Sequence, residues 1–134
     1  MSQENVEIVR RAWQAFAGDG VDALTEFCDP EINWRAVEGA LDDVGEMEGV
    51  EAVRRYVQDW LDTFDNVTVV PEELLDAGDV RVVAVQQMTG RARLSGVETE
   101  IRYAVVYTLR GRKIVRGREY FDRTEALKAV GLEE

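Results

Sequence analysis

Near the middle of this chain the spacing of apolar residues changes period, and that change limits what it can fold into. Up to Phe64 they recur every three or four residues: Val6, Val9, Trp13 and Phe16 first, then Val53, Tyr56, Val57, Trp60, Leu61 and Phe64. Each set is one stripe of an amphipathic helix, and the second runs over i, i+3, i+4, i+7, i+8 and i+11. From Val67 the segments VTVVPEELLDAG, VRVVAVQQMTGRARL, VETEIRYAVVYTL and KIVRGREYFD are rich in β-branched residues, with AGD, SG and RGR as turn signals between them. That pattern predicts four long strands in an antiparallel, strongly curved sheet. A helical first half and a stranded second half within 134 residues give one domain of the α+β class, with helices covering one sheet face.

Smaller elements fill the gaps. GVDALTEFCDP predicts a short second helix carrying Leu24, Phe27 and Cys28 and stopping at Asp29-Pro30, because the residue before proline disfavours the helical conformation. EINWRA reads as a short strand, and Thr124 to Val130 as a last helix ending at Gly131. The Gly-rich, acidic stretch from Val37 to Gly49 reads as a mobile, solvated lid. It lacks the DxDxDG spacing of a calcium loop, and no metal site is expected.

Charge and composition exclude several functions. With 16 basic against 27 acidic side chains the net charge is -11, and no basic face is available to release counterions from nucleic acid. MSQENVEIVRRAW has neither the basic start nor the apolar run of a signal peptide, and no segment approaches the roughly 20 apolar residues that span a bilayer. A cytoplasmic protein without nucleic-acid or membrane partners is the expectation. The chain has no histidine, which removes Ser-His and Cys-His pairs and HExxH zinc sites; acid-base work falls to carboxylates, tyrosines, Lys113, Lys128 or Cys28. No GxGxxG or GxxxxGK[ST] occurs, and no cofactor is expected. Cys28 has no partner for an internal disulfide and reads as a small buried hydrophobe.

Strand parity singles out one acid. In EIRYAVVYTL the set Ile101, Tyr103, Val105, Tyr107 and Leu109 is apolar or aromatic and faces inward. In KIVRGREYFD one side carries Val115, Gly117, Glu119 and Phe121, the other Ile114, Arg116, Arg118 and Tyr120. Two arginines are harder to bury than one carboxylate, so Glu119 goes inside, beside Tyr103 and Tyr107 of the neighbouring strand. The outward arginines, with Arg102 and Arg93, are then placed to pair with Glu98 and Glu100 across strands. Glu119 is either a general acid or base with phenolic donors nearby, or a structural carboxylate bonded to a helix or to Arg35. The tryptophans carry the same choice between packing and lining a pocket: Trp13 and Trp60 sit on helical stripes, Trp34 on the first strand.

Taken together, NVEIVRRAWQAF, GVDALTEFCDPEINWR, MEGVEAVRRYVQDWLDTF and YAVVYTLRGRKIVRGREYFDRTEAL resemble the SnoaL-like branch of the nuclear transport factor 2-like superfamily, over essentially the whole chain. The resemblance implies a cone: a curved sheet wrapped around about three helices, with a short C-terminal helix and one pocket. It also implies homodimers paired through the outer sheet face, for which sedimentation would show a stable dimer. In the isomerase branch a tyrosine on the first helix and two aspartates do the chemistry, and those positions fall near Ala12, Ala36 and Val105 here. The third is often histidine in SnoaL-like relatives. Neither that arrangement nor an Asp-Arg-Asp epoxide hydrolase set can be assembled from inward positions.

The sequence thus points to a homodimeric, small-molecule-binding domain. Its apolar pocket is walled by Phe16, Trp34, Trp60, Met88, Val105 and Phe121, with Glu119, Tyr103 and Tyr107 as polar anchors. As an enzyme of isomerase or cyclase type, it would shuttle a proton through Glu119 while a tyrosine stabilises the oxyanion. The alternatives are a non-catalytic ligand-binding or structural module, and an adaptor whose outer sheet face docks a partner protein.

Overall fold

The alternating segments become the long strands of a six-stranded sheet in the computed structural model, which describes residues 2–39, 45–78 and 80–132. In chain order the elements are α1 (Ser2–Asp19), α2 (Val21–Thr25), β1 (Cys28–Arg35), β2 (Glu46–Glu48), α3 (Val50–Thr63), β3 (Phe64–Gly78), β4 (Arg81–Ala92), β5 (Glu98–Arg110), β6 (Lys113–Tyr120) and α4 (Arg123–Ala129). The strand order is β2-β1-β6-β5-β4-β3. The architecture is the expected α+β one, a curved, unclosed sheet with helices at the N-terminal side and a short helix near the end. β3 to β6 form an antiparallel meander, but β1 runs parallel to β6, which makes the sheet mixed. No turn joins these two sequence-distant strands, so their relative direction left no local signal.

The meander is built as its turns and bulges dictate. β5 and β6 join through Gly111 and Arg112, whose φ values of 58° and 66° fit the two-residue type I′ turn that matches strand twist. Beyond the turn a bulge follows: Leu109 pairs with Ile114, whereas Thr108 pairs with Arg116. One residue of β6 is thus left over, and the side-chain alternation shifts. The parity reading put Ile114 outside and Val115 inside; instead Ile114 is buried in the core, while Gly117 and Glu119 keep their inward positions. Three register shifts between β3 and β4 add to the curvature.

The concave face packs against α1 and α3. Val9, Trp13 and Phe16 meet Val53, Tyr56 and Val57, Ile32 and Trp34 of β1, and Val82, Ala84, Val105 and Leu109 of the meander. A second, smaller cluster lies on the outer face, where Ala126 and Leu127 of α4 cover Val83, Ala104 and Val106. α4 is held there by Asp122, whose side chain accepts from the Glu125 backbone N–H, and by Arg123, which meets Glu73 at 2.8 and 3.3 Å. Burying apolar surface on the second face explains why Ala104 and Val106 alternate with equally buried neighbours along β5.

Several expectations are corrected. α2 stops at Thr25, and Phe27 and Cys28 lie beyond it, Cys28 opening β1. Pro30 sits inside β1, in the stretch between Cys28 and Asn33 where the register with β6 shifts, a place that tolerates a missing N–H. Phe64 begins β3 rather than ending α3. Within the acidic loop Glu46–Glu48 pair with β1 as β2; residues 40–44 at its centre lie outside the described residues, as does residue 79 of the AGD turn. Phe121 is 63% exposed because β6 ends at Tyr120, and Ile101 is 44% exposed near the far end of β5. The outward arginines also choose other partners: Arg102 pairs with Glu72, Arg93 with Asp65, and Glu98 faces Arg91. Among the described residues no helix is long and apolar enough to cross a membrane.

Candidate functional site

Parallel pairing of β1 and β6 sets Trp34 directly across from Gly117. The indole sits over that glycine so closely that a Cβ there would lie 2.0 Å from the ring. No other residue fits, and this is why a glycine interrupts an otherwise well-filled strand. Seated there, Trp34 donates its Nε1–H to Oε2 of Glu119, two residues further along β6, at 2.7 Å. Tyr56 of α3 donates its hydroxyl to the same carboxylate, 3.2 Å from each oxygen. Glu119 is 8% exposed, the only acidic residue buried among those described.

A second polar chain crosses the core. Trp13 of α1 donates to the Tyr107 hydroxyl at 2.8 Å, Tyr107 donates to Gln86 Oε1 at 2.5 Å, and Gln86 donates to the Tyr103 hydroxyl at 3.0 Å. Gln86 is fully buried. Burial pushes the Tyr107 hydroxyl well above its usual range, reinforced by Tyr103 and opposed by the Trp13 bond; Glu119 also raises it. Tyr107 is therefore a neutral hydroxyl whose proton is already given to Gln86.

Two cavities flank the Glu119 cluster. The inner one is walled by aromatic and aliphatic side chains, among them Trp13, Trp34, Tyr56, Trp60, Tyr107 and Ile114, and measures about 20 Å³. That is room for about one water molecule, and its walls are apolar. The outer one opens at the end of the β1–β6 pair and measures about 370 Å³. Its lining comes from Arg35 to Glu38, Arg118 to Asp122, and Glu125, so it includes Glu119. This is within the usual range for small-molecule sites. Arg118, on its wall, clamps neighbouring strands: it donates to Asn33 Oδ1 at 2.6 Å and to the backbone carbonyls of Asn33 and Gly117, and lies 3.7 Å from Glu46. Burial and the nearby Arg116 lower its pKa, against the pull of Glu46.

The residues proposed from sequence divide accordingly. Glu119 is buried as parity required. Trp34 and Trp60 line the inner cavity and Phe121 the outer one. Phe16, which stacks edge-on against Trp13, is packed in the core with Met88 and Val105. Tyr107 lines the inner cavity but is bonded to Trp13 and Gln86, and Tyr103 joins it through Gln86. Sequence reasoning missed Tyr56 as a donor to Glu119 and Gln86 as a buried hub. Gln86 was legible in principle, as the polar member of the inward set Val82, Ala84, Gln86, Met88; Tyr56 looked like one more apolar stripe position. Cys28 lies in the inner wall, where burial pushes its thiol up to about 12 against the pull of Lys113. Among the described residues no group of three His, Cys, Asp or Glu is placed to hold a metal ion.

Residues 9–117 match the SnoaL-like domain family, and the chain belongs to that family. Solved structures of the same fold include Bal32a from a soil-derived mobile gene cassette, 24% identical over 90% of each chain with a TM-score of 0.78. TerC, co-crystallised with polyporic acid, is 20% identical over 95% of this chain and 97% of its own, with a TM-score of 0.75. A Mycobacterium tuberculosis protein solved in complex with estradiol-17β-hemisuccinate is 14% identical over 89% and 94%, with a TM-score of 0.75. No curated protein matches the sequence.

Proposed function

We propose that this SnoaL-like domain binds a small molecule in the open cavity, with Glu119 as its polar anchor. One observation carries the reading: a buried carboxylate, held from behind by Trp34 and Tyr56, forms part of the wall of a ligand-sized space. Groups taken out of water and fixed by neutral donors are costly, and they concentrate where a partner will meet them. Relatives of the same fold solved with polyporic acid and with estradiol-17β-hemisuccinate support binding as the common task. Proton transfer through Glu119, of isomerase or cyclase type, is the finer form of this proposal, with Glu119 taking a proton from an acidic C–H or O–H of the bound molecule.

Binding without turnover is the second reading, favoured by a specific observation. The positions that carry chemistry in the isomerase branch fall near Ala12, Ala36 and Val105, all at most 1% exposed, and the Tyr107 hydroxyl is already bonded on both sides. Both readings share one test. A library of apolar and carbonyl-bearing small molecules is screened by thermal shift, and hits are mapped by amide chemical shifts. The expected result is perturbation concentrated at Arg35 to Glu38 and at Arg118 to Asp122. Hits that move only the outer-face residues around α4, or a library with no hit, would contradict the proposal.

A further inference from the structure

Trp34 and Tyr56, which both donate to Glu119, are held differently. Trp34 makes a short bond of 2.7 Å and is wedged over Gly117, with no room to tilt toward β6. Tyr56 shares its hydroxyl between both carboxylate oxygens at 3.2 Å, and its ring leans edge-on at 5.0 Å against Trp60, which is itself half-buried. Trp34 and Tyr56 line the inner aromatic cavity, whereas Glu119 lines the outer one. The hydrogen-bonded trio is therefore the wall between the two spaces.

We propose that Tyr56 is the moving leaf of a gate between these cavities, with Trp34 and Glu119 as its fixed post. When the tyrosine swings aside, the space its ring occupied joins the inner cavity, and Trp13, Trp34 and Trp60 come to face the open one. Opening costs the Tyr56–Glu119 hydrogen bond, and a molecule that carries a hydroxyl or N–H in place of the Tyr56 hydroxyl restores it. A purely apolar molecule of the same size does not replace that hydrogen bond and binds more weakly on that ground. The inference deepens the binding proposal above, but its test needs no ligand.

Hydrogen exchange of the indole N–H groups, followed by NMR, reads the gate directly. Trp34 donates at the gate; Trp13 donates to Tyr107 in the other buried chain and serves as the internal reference. Tyr56→Phe removes the leaf's hydrogen bond while keeping its ring. The expected result is a rise of about tenfold or more in the ratio of the Trp34 to the Trp13 exchange rate, the scale on which losing one buried hydrogen-bond partner acts. An unchanged ratio, whether both rates stay the same or both rise together through wider unfolding, overturns the gate. A raised ratio with no binder found leaves the gate standing and removes the binding proposal; a mapped binder with an unchanged ratio does the reverse.

Discussion

The two buried polar clusters use similar side chains to different ends. In the chain from Trp13 through Tyr107 and Gln86 to Tyr103 every member is neutral, and it ties α1 to β4 and β5 inside the core. In the cluster of Trp34, Tyr56 and Glu119 an ionisable acid sits beside open space, and it ties β1 and α3 to β6. Neutral donors and acceptors that satisfy one another add specificity to a core. A carboxylate that Trp34 and Tyr56 hold at a cavity wall lies where a bound molecule can meet it. Burial alone does not separate a structural polar group from a functional one; what lies on its other side does.

The comparison breaks first at Gly117. Gly117→Ala puts a methyl into the indole of Trp34 and is expected to cost about 3 kcal/mol, the upper end of the usual overpacking scale, read as a lower denaturant midpoint. A loss below about 1 kcal/mol would mean that Trp34 is not seated there, and the Glu119 cluster would lose its fixed post. Tyr107→Phe has a smaller expected effect. It orphans the Trp13 N–H and the Gln86 carbonyl and should cost about 1 to 3 kcal/mol in the same measurement, as for buried groups left without partners. A neutral result would show that this chain does not hold the core together.

Much of this was legible in residues, and the exceptions have physical causes. The stripe from Val53 to Leu61 and the alternation in β5 announced helices and meander, because periodicity is a local property of the chain. Glu119 was found because parity leaves few choices when arginines compete for the same face. What failed was non-local or depended on one extra residue. The bulge before Arg116 put Ile114 inside, the parallel β1–β6 pair came from strands with no shared turn, and Phe121 fell past the end of its strand. Tyr103 and Tyr107 were rightly placed on the inner face, but a face does not say which hydroxyl meets which acceptor. Only packing α3 against β1 and β6 reveals that Tyr56 is the tyrosine that bonds Glu119.

The most direct test compares two single substitutions on one bound molecule. Glu119→Gln preserves shape and removes the carboxylic acid, and Tyr107→Phe preserves shape and removes the neutral hydroxyl. With a molecule mapped to the open cavity, calorimetric titration should show affinity falling about tenfold or more for Glu119→Gln, the scale on which a buried hydrogen-bond partner is lost, and staying within about twofold of wild type for Tyr107→Phe. Equal affinities for Glu119→Gln and wild type, or a loss confined to Tyr107→Phe, would contradict the division of the interior into a structural chain and a ligand-facing carboxylate.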